Sequence, residues 1–348
     1  MSYYARIILP LLAKTDAERA HDNTLRLLEY GQKSRVGRYL LRVVAGSVPR
    51  RETNICGLSF PNALGVAAGF DKNARVVQGL ALLGFGHVEI GTLTPEAQAG
   101  NPKPRVFRLR SDRALLNRMG FPNAGSQDVS RRLQKLCEDG CDVIVGVSLG
   151  KQKDTPLSQA VQDYVSIMHT VFLYADYLAV NISSPNTPGL RDLHHSSYLD
   201  ELLGMLVSEN AKLKTQYSKK PRPLFVKFSP DLTWSELDSV LDVSIANRID
   251  GVIATNTTVQ RHALTGKRAS EEGGLSGRPL MQRSSEIISY INRRTNGSLP
   301  IIGVGGVFNA DDVREKLDAG ASAVQVYTGL IYEGPGMAGR ILRDLSLV

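Results

Sequence analysis

A (β/α)8 barrel preceded by a small helical module is the architecture this sequence predicts, and three observations carry it. Eight short apolar runs recur between residues 64 and 326, most are continuously apolar rather than alternating, and a helical stretch follows nearly every one. Unbroken apolar runs suit strands of a parallel sheet covered on both faces, and eight β-then-α alternations close most simply as a barrel. A chain of 348 residues, 42% hydrophobic and 22% charged, buries a core large enough for it. A doubly wound open sheet is the alternative, but no Gly-x-Gly-x-x-Gly follows the first run.

Residues 1–51 form the module and 52–348 the barrel domain. Ile7-Ile8-Leu9-Pro10-Leu11-Leu12 is apolar but too short to span a bilayer. Thr15-Asp16-Ala17-Glu18 has the spacing of a capping box, so a helix starts there, with Gly31 as its C′ residue. A second helix covers Arg35 to Val44. This segment holds ten Lys/Arg against four Asp/Glu, most of the formal +8 of the whole chain. Two basic amphipathic helices suit either a membrane interface with anionic lipid or a cap docked on the main domain. Pro49 and Arg50-Arg51-Glu52 mark the boundary. Nucleic acid is not indicated: there is no zinc signature, basic heptad region or aromatic RNP-like strand. Cys56, Cys137 and Cys141 are too few and too irregular for a disulfide framework, which points to a reducing compartment.

The strands are expected at Leu64–Ala67, His87–Ile90, Val143–Val147, Tyr177–Ile182, Leu224–Phe228, Gly251–Ala254, Ile301–Val304 and Ala323–Val326. Helices are expected over Ala74–Leu83, Asp128–Glu138, Leu157–Tyr174, Ser197–Thr215, Trp234–Asn247, Ser284–Arg294 and Asp311–Ala319. In a barrel, function sits on the loops after the strands, and here those endings are polar or glycine. They include Ala68-Gly69-Phe70-Asp71-Lys72, Gly91-Thr92, Ser148-Leu149-Gly150-Lys151 and Thr255-Asn256-Thr257. The last two are Gly305-Gly306 and Tyr327-Thr328-Gly329. Between the second and third strands, Val106–Leu109 and Leu115–Asn117 read as a hairpin leaning over the barrel mouth.

Glycine-bearing loops after strands seven and eight are the usual barrel phosphate site, although glycines also simply make tight turns. Lys227 lies inside Phe225-Val226-Lys227-Phe228, so its ammonium needs an anion within the mouth. A reduced flavin would provide one, and a Schiff-base role competes. Lys72 suits a substrate carboxylate. Asn117, Asn181, Asn186 and Asn256 bring donors and acceptors suited to the amide edges of a planar heterocycle. The stretch Asn181 to Arg191 delivers two asparagines, two serines and a threonine into a turn with two prolines and a glycine. The six histidines show no ligand spacing, so no metal is expected. The candidates for a base are Ser184, Thr187, Lys72 and Lys227.

The sequence resembles the class 2 dihydroorotate dehydrogenases, the quinone-linked flavoenzymes of pyrimidine synthesis. The likeness runs from Glu18-Arg19-Ala20-His21 through Asn117-Arg118-Met119-Gly120-Phe121 and Asn181–Arg191 to Gly273-Gly274-Leu275-Ser276-Gly277-Arg278-Pro279-Leu280. It implies one FMN held by Ala68, Gly69, Lys72, Thr92, Asn181, Lys227, Thr255, Gly277, Gly306, Tyr327 and Thr328. Ser148 is also implied, but it departs from the family's usual Asn and should make a weaker or water-bridged contact. Dihydroorotate is implied at Lys72, Asn117, Arg118, Met119, Gly120, Phe121, Asn181, Asn186, Asn256 and Thr257. Ser184 is implied as the base, with Thr187 and a water under Phe121 as its relay. His21, Arg108 and Tyr327 are expected along a quinone tunnel between the helical module and the barrel. Membrane association through residues 1–51 follows from the same likeness, and the absence of a transit peptide or spanning helix in the sequence points to peripheral placement on the cytoplasmic face of a bacterial cell membrane. Other readings are a silent barrel that binds lipid and a dehydrogenase linked to fumarate or NAD.

Overall fold

The computed structural model describes residues 4–12, 14–187, 190–191, 196–261, 264–265, 268 and 270–346. Pro188 and Gly189 of the Asn181–Arg191 turn, and His194 and His195 among the six histidines, lie outside them. Eight parallel strands close into a barrel: β1 (Leu64–Val66), β2 (His87–Leu93), β3 (Ile144–Leu149), β4 (Tyr177–Asn181), β5 (Leu224–Phe228), β6 (Gly251–Ala254), β7 (Ile301–Val304) and β8 (Ala323–Val326). Each pairs with the next in sequence, and β8 pairs with β1. Almost every strand residue is buried, which is why the runs lack alternation.

Strand β2 is three residues longer than expected. The apolar signal stops at Ile90, yet the ladder continues through Gly91 opposite Ser148 and, after an irregularity, Leu93 opposite Leu149. The helix expected over 157–174 is a 3-10 turn (Leu157–Gln159) followed by a helix (Ala160–Val171). Thr328-Gly329, read as loop, begin a short helix, Thr328–Glu333, and Met337–Ser346 adds a terminal one.

A hairpin, Thr53–Ile55 with Leu58–Phe60, plugs the N-terminal end of the barrel. Its Ile55 and Phe60 pack with Tyr177, Phe225, Ile253 and Ile302. At the opposite end, the expected hairpin is present as Val106–Leu109 and Ala114–Asn117. Gly274–Gly277 joins it as a third antiparallel strand that the sequence did not announce.

The N-terminal module is a pair of helices, α1 (Ala17–Lys33) and α2 (Arg35–Ala45). The N-cap is Asp16, whose carboxylate accepts from the Arg19 amide at 2.9 Å, rather than Thr15, which bonds back to the Leu12 carbonyl. Glu18 completes no capping box. It receives a fork of two hydrogen bonds from Arg105, at 2.7 and 3.1 Å, and so ties α1 to the mouth sheet. Nor does Gly31 end the helix. A Cβ on Gly37 would lie 2.2 Å from the Gly31 carbonyl oxygen, so these glycines let α1 and α2 touch backbone to backbone.

Leu25 and Leu28 join the main core, and Glu29 pairs with Arg75 at 2.6 Å. The other face is bare: Leu27, Tyr30, Val36 and Tyr39 are 65–74% exposed. No helix among the described residues is long and apolar enough to cross a membrane.

Candidate active site

The ends of the barrel strands and the mouth sheet surround one deep cavity, with about 1030 Å³ of space between its atoms, open mouth included. Nineteen of the residues singled out in the sequence line it. From the strand ends and their loops come Ala68, Gly69, Lys72, Thr92, Asn181, Ser184, Asn186, Lys227, Thr255, Asn256, Thr257, Gly306, Tyr327 and Thr328. From the mouth sheet and its flanks come Asn117, Met119, Gly120, Phe121 and Gly277. The parallel register explains the convergence, since every polar ending emerges at the same rim.

A chain of hydrogen bonds orders the floor. The Asn181 amide donates to Thr92 Oγ1 at 2.8 Å, and Thr92 shares a hydrogen bond with Ser148 at 2.9 Å. Asn256 Nδ2 donates to Asn181 Oδ1 and to Ser183 Oγ, at 3.2 and 3.0 Å. Across the cavity, Asn186 Nδ2 donates to Asn117 Oδ1 at 3.2 Å. These contacts fix the amide orientations on two sides of the cavity.

The anion that Lys227 requires is supplied by the protein itself. Its ammonium lies 3.1 Å from Glu89 Oε1, and both side chains are buried. Glu89 Oε2 accepts further bonds from Tyr177 OH at 3.1 Å and Gln325 Nε2 at 2.9 Å. Burial, then the adjacent Glu89 charge, pushes the Tyr177 phenol well above its ordinary value, so it stays a donor. The lysine is therefore an ion-paired group held by a buried network, and the anion it was expected to find in a reduced flavin is already present as Glu89. Glu89, Tyr177 and Gln325 escaped the sequence reading, although Glu89 and Gln325 stand as single polar residues inside apolar strands, as Lys227 does. Gln325 Oε1 is buried in the cavity wall without a partner among the described residues.

Lys72 donates to the Gly69 carbonyl at 2.7 Å, and burial pushes its ammonium down to about 8 despite the opposing charges of Glu18, Asp22 and Asp71. No Asp, Glu, His or Cys lines the cavity among the described residues. Ser184 is 5% exposed, and its Oγ accepts from the Asn186 amide at a long 3.3 Å. Thr187 is buried beside this turn, and its hydroxyl has no partner among the described residues.

Besides Thr187, four expected residues stand outside the cavity wall. Ser148 is fully buried one layer back, touching Thr92, because β3 carries it behind the rim. Arg118 turns away to Glu271 at 2.9 Å and lies over the Phe107 ring. Arg108 donates to the Thr15 carbonyl at 2.9 Å, at the root of α1. His21 reaches the Phe70 carbonyl at 2.9 Å, its ring edge-on to Phe70, and Phe70 in turn meets Tyr327 of the cavity. Burial, then the charge of Lys72, pushes the His21 imidazole down to about 3, so it is neutral at ordinary pH.

The donor set suits a phosphorylated, planar, amide-edged group. Gly306, which lines the cavity, has φ +76, and a Cβ there would sit 2.3 Å from Met281 Cβ, so only glycine fits where this loop packs on the following helix. Ser276 and Thr328 share a hydrogen bond of 2.8 Å nearby, and the orphaned Gln325 oxygen offers an acceptor to a ligand N–H.

Comparison with known proteins agrees with this geometry. The family model described as dihydroorotate dehydrogenase matches residues 50–348. A Roseiflexus protein named dihydroorotate dehydrogenase (quinone) is 48% identical over 346 residues, covering 99% of this chain and 94% of the relative. A protein of that name from Proteus mirabilis is 44% identical, covering 98% of this chain and 100% of its own. The crystal structure of an Eimeria tenella DHODH in complex with ferulenol superposes with a TM-score of 0.85 at 39% identity, covering 95% of this chain and 90% of that one. This chain belongs to the dihydroorotate dehydrogenase family.

Proposed function

We propose that this protein oxidises dihydroorotate to orotate in pyrimidine synthesis, with FMN bound in the barrel mouth and a membrane quinone as the final electron acceptor. The observation that carries the reading is the convergence, in one cavity of a chain of this family, of four asparagines, two lysines and Ser184. Gly69, Gly277, Gly306, Thr328 and Thr255 would hold the cofactor's phosphate and backbone-facing edges. Asn181, Thr92 and Lys227 would meet its ring system. Dihydroorotate would lie against Asn117, Asn186, Asn256 and Thr257, with its carboxylate toward Lys72.

Oxidation removes a proton from C5 and a hydride from C6 of the substrate, leaving a C5=C6 double bond. When bound, FMN supplies the hydride acceptor and later passes two electrons to the quinone. Ser184 accepts the C5 proton. A serine is a weak base, so the proton needs an onward path, and the buried Thr187 hydroxyl, without a partner among the described residues, supports one that would run through a water beneath Phe121. Lys72 and the asparagines stabilise the charge that develops as the proton leaves.

Residues 1–51 act as a membrane and quinone module. Its bare apolar face suits a position in the interface of an anionic bilayer, on the cytoplasmic side of a bacterial cell membrane. The aromatic succession His21, Phe70, Tyr327 supports a quinone path from that face to the cavity. Arg108 sits at the entrance of that path. The test is spectral: the purified protein should be yellow, bleach anaerobically with dihydroorotate and regain its colour with quinone. A colourless protein, or recovery with fumarate or NAD instead, contradicts the reading.

A further inference from the structure

A second concavity lies away from the barrel mouth, between the helical module and the barrel wall. It is lined by Lys33 of α1, Arg38 of α2, Arg75 after β1, and Arg132 and Lys135 of the helix Ser126–Glu138, against Glu29 and Asp139 as its acids. Glu29 is taken by Arg75 and Lys33, at 2.6 and 3.0 Å. Arg38, Arg132 and Lys135 make no ion pair with a described carboxylate. Arg132 donates to the Asn73 carbonyl at 2.9 Å, and Arg38 makes only a long 3.5 Å bond to the Gln32 carbonyl. Three cations from two elements thus line one groove without a described ion pair, a local excess of positive charge that attracts an anion.

We propose that this groove binds the phosphate headgroup of an acidic phospholipid. The shared chemistry is a phosphate anion, and the lipid is chosen over the free ion because of what borders the groove. Tyr30 lies one helical turn before Lys33, and Val36, Tyr39 and Leu40 flank Arg38; all four are 55–73% exposed. A headgroup held between α2 and the barrel leaves its acyl chains against that apolar face. Two of the three unpaired cations belong to the barrel, so the barrel wall, as well as the basic module, reads the membrane. The inference rests on the membrane placement proposed above and adds selectivity for the headgroup to it.

The test uses the full-length holoprotein and vesicles of phosphatidylcholine with or without phosphatidylglycerol. The triple variant Arg38→Gln, Arg132→Gln, Lys135→Gln is compared with a control losing three cations elsewhere, Lys214→Gln, Lys219→Gln, Lys220→Gln. Flavin absorbance, melting temperature and turnover with a short-chain soluble quinone report that the variants are folded. The groove variant should lose its preference for phosphatidylglycerol by about tenfold or more, while binding to phosphatidylcholine and the control variant's preference stay as in the wild type. The single Lys135→Gln variant, at an exposed position, should lose part of that preference even if the triple variant folds poorly. An unchanged preference in folded groove variants, or an equal loss in the control, overturns the proposal while leaving membrane placement intact. Strong competition by millimolar inorganic phosphate at constant ionic strength would instead assign the groove to the free ion and overturn the lipid assignment. A wild-type protein that binds neither vesicle overturns both.

Discussion

At the scale of single residues, the site depends on charges placed where water cannot reach them. Lys227 and Glu89 are both buried, and each makes the other tolerable. Glu89→Gln should therefore destabilise the fold by about 3–5 kcal/mol, since it strands a buried ammonium. Urea unfolding measures this directly, and a midpoint equal to the wild type's would mean that Lys227 finds another partner. Lys72 behaves differently, because burial holds it at about 8. Its charged form is present below that pH and lost above it. The KM for dihydroorotate should rise as pH passes 8, and a KM flat to pH 9.5 would remove Lys72 from carboxylate binding. Much of this was legible in the sequence: a lysine alone in an apolar strand must find an anion. Its partner was missed because Glu89 lies 138 residues away and only barrel closure brings the two together.

At the scale of elements, the helical module shows one sequence feature serving two ends. Amphipathicity left open whether α1 and α2 dock on the barrel or lie in lipid, and they present surfaces for both. One side is fastened by Arg105–Glu18, Arg75–Glu29 and the buried Leu25 and Leu28, while the other is bare. Gly31 looked like a helix stop because C′ glycine is common. Its use as a crossing point depends on Gly37, which no local pattern could reveal. Gly37→Ala should splay the two helices and lower quinone turnover at least severalfold, by an overpacking cost of about 1–3 kcal/mol. Flavin reduction by dihydroorotate should remain at the wild-type rate. Equal quinone turnover in the variant would show that the helix crossing does not shape the quinone path. The third strand of the mouth sheet was invisible for a related reason. Gly274–Gly277 is short and glycine-rich, and it becomes a strand only by pairing with Ala114–Asn117.

At the scale of the whole molecule, stability and chemistry are linked through protons. His21 and His87 are both held down to about 3, each chiefly by burial. An unfolded chain takes up those protons near 6.5, so their contribution is fully present above 6.5 and is lost as pH falls toward 3. Stability in urea should decline steadily from pH 7 to pH 5, before the carboxylates titrate. A flat profile across that range would show that both rings accept a proton in the folded state. The barrel itself was the most legible feature, because eight buried strands leave eight continuous apolar runs, and their polar endings outlined the cavity. What sequence could not convey was depth: Ser148 and Thr92 lie on neighbouring strands, yet only Thr92 reaches the cavity.

The central claim is that Ser184, in a cavity wall without carboxylate or imidazole among the described residues, takes the proton that lets dihydroorotate give up its hydride. Anaerobic stopped-flow reduction of the flavin by dihydroorotate, in the wild type and Ser184→Ala from pH 6 to 10, tests it most directly. The account predicts a loss of about a hundredfold or more in the variant, with flavin content and substrate affinity retained. Reduction at the wild-type rate with the wild-type pH profile would contradict it.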